Sequence, residues 1–316
     1  MRNSILYGDC RETLKQFASY TDKARMCVTS PPYYGLRDYG GEENQIGQEQ
    51  SPEDFIKNLV EVFGLVRDCL TDDGTLWVNI GDSYYNYRPG KGQSQPKQTV
   101  SKTKQDLPDK CAKRANKLEG LKEKDLIGIP WMLAFALRAD GWYLRQDIIW
   151  HKPNPMPESV RDRCTKSHEY IFLLSKNKKY YYDNEAIKEP VKQDWGTRDR
   201  TNGKYHNPGT GLAPHSGLSK SYDRKNKRSV WTVTNKPYKG AHFAVFPPDL
   251  IEPCILAGSE ENDIVLDPFM GSGTTAMVAK KHNRNYIGCE LHEDYASLQT
   301  DRIDSIPSQL PAILWK

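Results

Sequence analysis

The chain has 316 residues, of which 37% are hydrophobic and 27% are charged, and its mean hydropathy is −0.76. This length is enough for one large domain or two modest ones with a substantial core. The chain has no run of 18 apolar residues and starts with polar ones, so we expect neither a membrane span nor a signal peptide. The seven cysteines are odd in number and include no C-x-x-C pair. This pattern argues against a zinc site or disulfide framework and favours a cytoplasmic protein.

The net charge of +4 is unevenly distributed along the chain. Residues 88–124 contain eleven Lys/Arg and four Asp/Glu, and residues 192–240 contain eleven and three. Tyr, Trp, Asn and Gly are interleaved with these basic residues. Two solvated loops could have this composition, but the combination favours a surface for a polyanion, and nucleic acid is the leading candidate.

The first 80 residues alternate between strand and helix patterns. Asp9 and Glu12 form a capping-box pattern at the start of the first helix. Ser51-Pro52-Glu53 starts a second helix, whose apolar residues recur at helical spacing. A turn is expected at Asp72-Asp73-Gly74. The predicted elements are a strand at 4–7, a helix to Ala18, a strand at 24–29, a helix from Ser51 and a strand at 75–80. This alternation is typical of a parallel sheet.

Two irregular regions interrupt the alternation. Residues 85–125 have almost no apolar periodicity and are predicted to be a mobile insertion. Residues 185–240 are again irregular and are predicted to be a second insertion or a small recognition module. Elsewhere the pattern predicts helices at 129–139, 248–257 and 274–283, and strands at 141–150, 169–174, 263–266 and 285–289.

The segment DIVLDPFMGSGTTAMVAKKHNRNYIGCEL, residues 263–291, carries the first functional signal. It reads as a strand, a glycine loop, a helix and a second strand that ends on an acid. Gly271 and Gly273 allow positive φ and close backbone approach, and the N-terminus of the following helix favours polar ligand groups. Glu290 lies where an acid at a strand end can hold two ribose hydroxyls. The segment therefore predicts a nucleoside-containing cofactor.

The identity of that cofactor has two interpretations. The run from Gly271 to Ala276 satisfies the dinucleotide pattern G-x-G-x-x-A, with Glu290 as its acidic partner. Asp267, which precedes Pro268 and Phe269, places a carboxylate where it can pair with an ammonium group but would repel a pyrophosphate. This favours S-adenosylmethionine (SAM), although a plain loop-capping role for Asp267 stays open.

The second functional signal is the stretch VTSPPYYGLRDYG, Val28 to Gly40. Pro31 and Pro32 lack backbone donors and fix φ, so the apolar strand before them cannot continue. The resulting stiff turn carries Ser30 and presents Tyr33. Because Ser-Pro-Pro turns also occur in ordinary surface loops, the functional interpretation depends on the glycine loop that accompanies this one.

Together the two segments resemble a known family. Ser30-Pro31-Pro32-Tyr33 is similar to motif IV, and the run from Asp267 to Thr275 is similar to motif I, of the amino-group DNA methyltransferases. These enzymes transfer a methyl group from SAM to cytosine N4 or adenine N6. The catalytic motif comes first in this chain, which resembles the β class. The resemblance implies a circularly permuted Rossmann-like SAM methyltransferase fold: an α/β fold with a mostly parallel central sheet, helices on both faces and irregular DNA-recognition insertions.

The resemblance also implies roles for the matching residues. The Ser30 side chain and the Pro31 carbonyl would accept hydrogen bonds from the target amino group, Pro32 would stiffen the turn, and Tyr33 would stack on a flipped base. Asp9, in a segment similar to motif III, would lie near the adenine or only cap its helix. Residues 242–248 resemble motif X, and residues 74–82, 150–157 and 168–170 resemble further strands and an active-site loop. The implied cofactor-binding residues are Asp9, Thr29, Phe246, Asp267, Pro268, Phe269, Gly271, Ser272, Gly273, Thr274, Thr275 and Glu290.

Ser30 favours cytosine N4 as the methylated atom. Family members that act on N4 usually carry Ser-Pro-Pro, whereas those that act on adenine N6 usually carry Asp-Pro-Pro or Asn-Pro-Pro, so adenine N6 stays the alternative. Methylation at cytosine C5 would need a cysteine nucleophile, and Cys254 is better interpreted as a core residue. A glutamine-N5 protein methyltransferase would place the cofactor motif first. A nicotinamide-dependent oxidoreductase and a catalytically silent DNA-binding protein are more distant alternatives.

The implied organisation has three parts. Residues 1–184 form the catalytic half of the methyltransferase domain, with the basic insertion at 85–125. Residues 185–240 form the target-recognition region, and residues 241–316 form the SAM-binding half. Double-stranded DNA is the expected partner, a cognate restriction endonuclease is a candidate functional partner, and the chain is expected to be a monomer or homodimer. Neither a metal nor a membrane is expected.

Overall fold

The computed structural model describes residues 2–35, 45–85, 118, 120–191, 223–235 and 246–307. The chain divides into two compact units, one formed by residues 1–182 with 229–316 and the other by residues 183–228. The described strands are β1 Ser4–Tyr7, β2 Ala24–Thr29, β3 Leu70–Ile80, β4 Tyr143–His151, β5 His168–Ser175, β6 Glu189–Pro190, β7 Arg224–Lys225, β8 Val230–Thr232, β9 Ile264–Asp267 and β10 Asn285–Glu290. The described helices are α1 Cys10–Ala18, α2 Pro52–Cys69, α3 Ile129–Ala139, α4 Pro248–Gly258, α5 Thr274–Lys281 and α6 Ala296–Asp304.

The larger unit is built on one eight-stranded sheet in the order β1-β10-β9-β2-β3-β5-β4-β8. Every neighbouring pair is parallel except the two pairs that β5 makes with β3 and β4. The α/β fold with a mostly parallel sheet is therefore confirmed. The chain runs outward from β9 to β10 on one side and from β2 to β3 on the other. The boundary between β9 and β2 is thus the point at which the strand order reverses.

Both faces of this sheet are covered by helices. On β3, Leu76, Val78 and Ile80 are fully buried in a core that they share with α1, α2 and α3. Met26 of β2 lies against α4, where a Cβ placed on Gly258 would come within 2.9 Å of the Met26 sulfur. Since alternate residues of a strand point to opposite faces, burial of both sets explains why these strands are nearly all apolar.

Three helix starts, those of α1, α2 and α3, are fixed by short polar side chains. Asp9 caps α1 by accepting a 2.9 Å hydrogen bond from the Arg11 N–H, and Ser51 caps α2 by accepting one from the Asp54 N–H. The start of α3 is capped from a distance, because the Asp82 carboxylate at the end of β3 accepts hydrogen bonds from the N–H groups of residues 128 and 129. Two of these three starts follow from local sequence, and the third depends on the tertiary fold.

The expected turn at Asp72-Asp73-Gly74 is wrong, because these residues lie inside β3, which begins at Leu70 rather than Thr75. The pairing of β3 with β2 is irregular here: Ala24 is opposite Leu70, and Met26 is already opposite Thr75. The surplus residues of β3 form a bulge that interrupts the ladder without ending the strand.

The two irregular sequence regions are described only in part. At the base of the predicted insertion 85–125, the Tyr85 N–H donates to the Asp125 carbonyl and the Lys124 N–H donates to the Tyr85 carbonyl, both at 2.8 Å. The predicted mobility concerns residues that lie largely outside the described ranges. The interval 185–240 is not one body, since Val230–Thr232 (β8) pairs with β4 in the large sheet.

In the smaller unit, β6 and β7 form an antiparallel ladder with Glu189 opposite Lys225. The Glu189 carboxylate forms ion pairs with Lys227 and Arg228. The assignment of this region to DNA recognition stays a prediction. Within the described ranges, no helix has the length and apolar character needed to span a membrane.

Candidate active site

A cavity of about 630 Å³ opens at the carboxyl ends of the parallel strands. Residues that directly follow β1, β2, β3, β9 and β10 line it, as do the end of β4 and the start of β5. The cavity lies across the boundary between β9 and β2, where the strand order reverses. Open α/β sheets bind their ligands at this kind of position. The fold therefore places both sequence signals at one site.

The Ser-Pro-Pro-Tyr turn forms one wall of the cavity. Ser30, Pro31, Pro32 and Tyr33 all line it, directly after β2 ends at residue 29. The next residue, Tyr34, turns away from the cavity and its ring packs against Phe55 of α2 at 5.5 Å between centroids. The turn is therefore fixed to the core on one side while residues 30–33 line the cavity on the other.

The glycine loop follows the neighbouring strand β9, forms the adjoining wall and has the expected backbone. Gly271 has φ 53° and Gly273 has φ 82°, both in the left-handed region that glycine adopts without strain. A Cβ on Gly288 of the neighbouring strand would lie 2.4 Å from the Met270 side chain, so the loop packs tightly on β10. Pro268, Phe269, Gly271, Ser272 and Thr274 line the cavity.

Asp267 lies beneath this loop and not at the cavity surface. Its side chain is almost completely buried and accepts hydrogen bonds from the hydroxyls of Thr29 and Thr275, both at 2.6 Å, and from the Phe269 N–H at 3.0 Å. Burial raises the pKa of this carboxyl to about 6 despite these bonds. This geometry fits the loop-capping alternative, and a direct contact between Asp267 and a ligand ammonium stays a prediction. Thr29, Gly273 and Thr275 are likewise buried below the wall, so they support the loop rather than face the cavity.

Glu290 stands on the cavity wall at the end of β10. Its carboxylate accepts hydrogen bonds from the backbone N–H groups of Gly271 at 2.8 Å and His292 at 3.1 Å. Burial, together with the nearby charge of Asp267, raises the pKa of Glu290 to about 7. The acid therefore holds the glycine loop in place and also offers its oxygens to the cavity.

Asp9 has the capping role that the sequence left open, and its position near an adenine stays a prediction. It lines the cavity and caps α1. Its carboxylate also pairs with the Arg11 guanidinium, with contacts of 2.5 to 3.1 Å. Burial alone would raise the pKa of Asp9, but the hydrogen bonds and charge of Arg11 outweigh it and hold the pKa below its usual range. Phe246, the remaining residue expected near a cofactor, also lines the cavity.

Sequence reasoning missed a polar cluster on the side of the cavity formed by β3, β4 and β5. Glu169 accepts a 2.6 Å hydrogen bond from the Tyr33 hydroxyl and one of 3.3 Å from Asn79, and it forms an ion pair with Lys152. Lys166 lies nearby, and burial lowers its pKa. The runs at residues 150–157 and 168–170 resemble strands and an active-site loop of the family, but no local pattern gave Glu169, Lys152 or Lys166 a role.

The cofactor half of the cavity has the groups that a nucleoside with a charged tail requires. His292 lines the cavity, and its Nε2 atom is buried without a hydrogen-bond partner among the described residues. Glu290 can accept from ribose hydroxyls, the N-terminus of α5 presents backbone N–H groups, and Phe269 supplies an apolar surface. These residues fit SAM.

Comparisons with known proteins agree with this site. Residues 24–301 match the N6/N4 DNA methylase family. The chain is 49% identical over 304 residues to the Type II methyltransferase M.SmaI of Serratia marcescens, covering 95% of this chain and 90% of that one. It is 46% identical over 300 residues to the Type II methyltransferase M.Cfr9I of Citrobacter freundii, covering 95% and 87%.

Solved structures show the same fold. The PvuII DNA methyltransferase (cytosine-N4-specific) aligns with a TM-score of 0.61 at 17% identity, covering 98% of this chain and 89% of that one. A putative DNA modification methylase from Thermus thermophilus, complexed with S-adenosyl-L-methionine, aligns with a TM-score of 0.58 at 22% identity, covering 96% and 95%.

These findings identify the class of protein. The chain belongs to the N6/N4 DNA methylase family, in its β class, in which the catalytic turn precedes the cofactor loop. It is a DNA methyltransferase of the Type II kind, and its methyl donor is SAM.

Proposed function

We propose that this chain transfers a methyl group from SAM to the exocyclic N4 amino group of a cytosine that is flipped out of duplex DNA at a specific site. The observation that carries the proposal is the position of Ser30. It lines the cavity one residue after Thr29, whose hydroxyl is bonded to Asp267 at the base of the cofactor loop. A serine hydroxyl is therefore the side-chain acceptor beside the methyl donor, in the position where N6-adenine enzymes of this family usually carry Asp or Asn.

The chemistry requires acceptors for the amino protons. The lone pair of an exocyclic amine is delocalised into the ring, so the nitrogen is a weak nucleophile until its geometry becomes pyramidal. The Ser30 oxygen and the Pro31 carbonyl would accept hydrogen bonds from the NH₂ group and favour that geometry. Because Pro31 and Pro32 have fixed φ, the acceptors need little reorganisation when the base arrives.

SAM supplies an electrophilic methyl group on sulfur: the amino nitrogen forms the new N–C bond, the S–C bond electrons stay on sulfur, and one amino proton leaves to water. The chain's own contribution is to hold the amine and the methyl donor at neighbouring walls of one cavity. Tyr33 offers an aromatic face for the target base, which must leave the duplex to reach a cavity at the strand ends.

The relatives support a protective role. The two relatives compared above are named Type II methyltransferases, and one structural neighbour is described as cytosine-N4-specific. The neighbour's specificity is a property of that enzyme, so the argument for cytosine in this chain depends on Ser30. We propose that the modification protects DNA from a restriction endonuclease of the same specificity. The basic residues of 192–240 would supply much of the target recognition.

The test is to identify the methylated nucleoside. Purified protein is incubated with duplex DNA and SAM that carries an isotopically labelled methyl group, and the DNA is then hydrolysed to nucleosides for mass spectrometry. We expect the label in N4-methyldeoxycytidine. Label in N6-methyldeoxyadenosine would contradict the proposed base and support the alternative activity.

A further inference from the structure

The Tyr33 ring is held by its hydroxyl in a partly buried polar network. That hydroxyl donates a 2.6 Å hydrogen bond to Oε2 of Glu169. Asn79 donates to the same oxygen at 3.3 Å, and the Lys152 ammonium forms an ion pair with the other oxygen, Oε1. The side chains of Glu169 and Lys152 are only 13% and 17% exposed. Glu169 therefore connects the aromatic residue of the catalytic turn to three strands of the sheet.

The backbone of Gly81 limits the ring from a second direction. A Cβ at position 81 would lie 2.8 Å from Cε2 of Tyr33 and 3.4 Å from the Glu169 side chain. Only a glycine leaves room for the ring and the carboxylate to lie side by side at this point. The stiff Pro31–Pro32 backbone fixes the ring from the chain side. The Tyr33 ring is thus fixed by the stiff backbone before it, by Gly81 against its edge and by the hydrogen bond of its hydroxyl.

The partners of Glu169 are themselves held in place. The Lys152 ammonium lies 4.2 Å from the centroid of the Trp150 ring, and the indole N–H donates a 2.9 Å hydrogen bond to the Val233 carbonyl that follows β8. The second amide hydrogen of Asn79 goes to the Tyr170 carbonyl at 3.1 Å. The network therefore has little freedom to reorganise.

We propose that Glu169 is a positioning residue for methyl transfer, which acts by holding Tyr33 in the orientation that the flipped base requires. A partly buried ion pair adds little net stability, so its presence at the cavity points to geometry as its purpose. Small misplacements of a reacting group can reduce turnover about 100-fold. The inference rests on the proposed function, since Tyr33 must face a flipped base.

The test is a double-mutant comparison of Tyr33→Phe, Glu169→Gln and the double variant in the full-length protein. If Glu169 acts through the tyrosine hydroxyl, each single variant lowers kcat about 10-fold or more, and the double variant is no slower than the slower single variant. The dissociation constant for SAM, measured by calorimetry, stays within about twofold of the wild-type value, because the cofactor wall is untouched. The matched control is Glu252→Gln, which removes the same charge from a carboxylate bonded to Lys281 and His282 outside the cavity and should keep the wild-type kcat.

If the fold-loss of kcat in the double variant equals the product of the two single losses, the positioning role is wrong. A wild-type kcat for Tyr33→Phe would also contradict it. If Glu169→Gln fails to fold, Gly81→Ala takes its place, because the added methyl group displaces the Tyr33 ring but keeps the ion pair. Gly81→Ala should lower kcat, and its effect should not add to that of Tyr33→Phe. The methylated nucleoside is identified in the same reactions. N6-methyldeoxyadenosine as the product of the wild-type protein contradicts the proposed function, whereas independent effects of the two residues contradict the positioning role.

Discussion

Thr29 and Asp267 are 238 positions apart in the sequence, and their side chains share a 2.6 Å hydrogen bond beneath the cavity. Each immediately precedes one of the two functional segments, the catalytic turn from Ser30 and the cofactor loop from Pro268. Because both side chains are buried, their hydrogen bond sets the distance between the two walls of the site. The permuted order of the motifs therefore has no effect on the site, since the sheet brings the two strand ends together.

Thr29→Val should weaken both the fold and cofactor binding. Valine fills nearly the same volume but leaves a lone pair of Asp267 without its buried donor, so the free energy of unfolding should fall by about 1–2 kcal/mol. SAM affinity should fall as the loop shifts. Urea denaturation and calorimetry measure the two effects. The control is Thr71→Val, which removes a hydroxyl bonded to Asp73 away from the cavity. Equal losses of SAM affinity in both variants would contradict this account.

Stability should fall as the pH rises from about 4 to about 7. Burial raises the pKa of Asp267 to about 6 and that of Glu290 to about 7. Between the unfolded and folded pKa values, the folded state binds more protons than the unfolded state, so raising the pH favours unfolding. Each group contributes on the order of 3 kcal/mol. Urea denaturation of the ligand-free protein at pH 5 and pH 8 measures the difference, and Glu290→Gln should remove about half of it. If the pH dependence of stability is unchanged in Glu290→Gln, the raised pKa of Glu290 is not its source.

SAM binding should release protons near pH 6.5. If ribose hydroxyls donate to ionised Glu290, the bound state favours the carboxylate and lowers its pKa. Affinity should then increase as the pH rises from 6 to 8. Calorimetry in two buffers of different ionisation enthalpy measures the released protons, and Glu290→Gln should abolish the release. Proton uptake on binding would contradict the prediction.

Gly288→Ala should destabilise the cofactor loop. The new methyl group would lie 2.4 Å from the buried Met270 side chain, so it forces the loop away from β10 at a cost of about 1–3 kcal/mol. SAM binding should weaken with it. The control is Gly64→Ala in α2, where nothing lies within 4 Å of the new methyl group and the helix should gain about 0.5–1 kcal/mol. Thermal unfolding distinguishes the two, and similar shifts in both variants would refute the loop-packing argument.

Replacing residues 192–222 by a Gly/Ser linker should abolish site-specific DNA binding but preserve SAM binding. The replacement stops at residue 222 so that the larger unit, which resumes at residue 229, keeps β8 and its pairing with β4. The salt dependence of the remaining DNA binding should become less steep as basic contacts to phosphates are lost. Fluorescence anisotropy at several salt concentrations measures both effects. Retained site specificity would show that recognition lies elsewhere in the chain.

The parts of the site that could be predicted from sequence are those encoded within a few residues. The Ser-Pro-Pro turn and the Gly271–Gly273 loop depend on local backbone restrictions, so their positions and conformations follow from their residues. The sequence could not choose between the two roles of Asp267, because its burial depends on a threonine from a distant strand.

The Glu169–Lys152 ion pair could not be predicted from the sequence either. It depends on the antiparallel register of β4 with β5, which no local pattern specifies. The bulge at Asp72–Gly74 also depends on strand pairing. These residues have the composition of a turn, but they lie in β3, which pairs with β2 on both sides of them.

The most direct test of the central claim is base-level methylation sequencing of DNA from cells that express either this chain or its Ser30→Ala variant. We expect the wild-type chain to produce N4-methylcytosine at one recurring sequence. The variant should produce it about 100-fold more slowly, because one of the two acceptors for the amino protons is lost. Methylation of adenine at N6, or wild-type methylation by Ser30→Ala, would contradict the account.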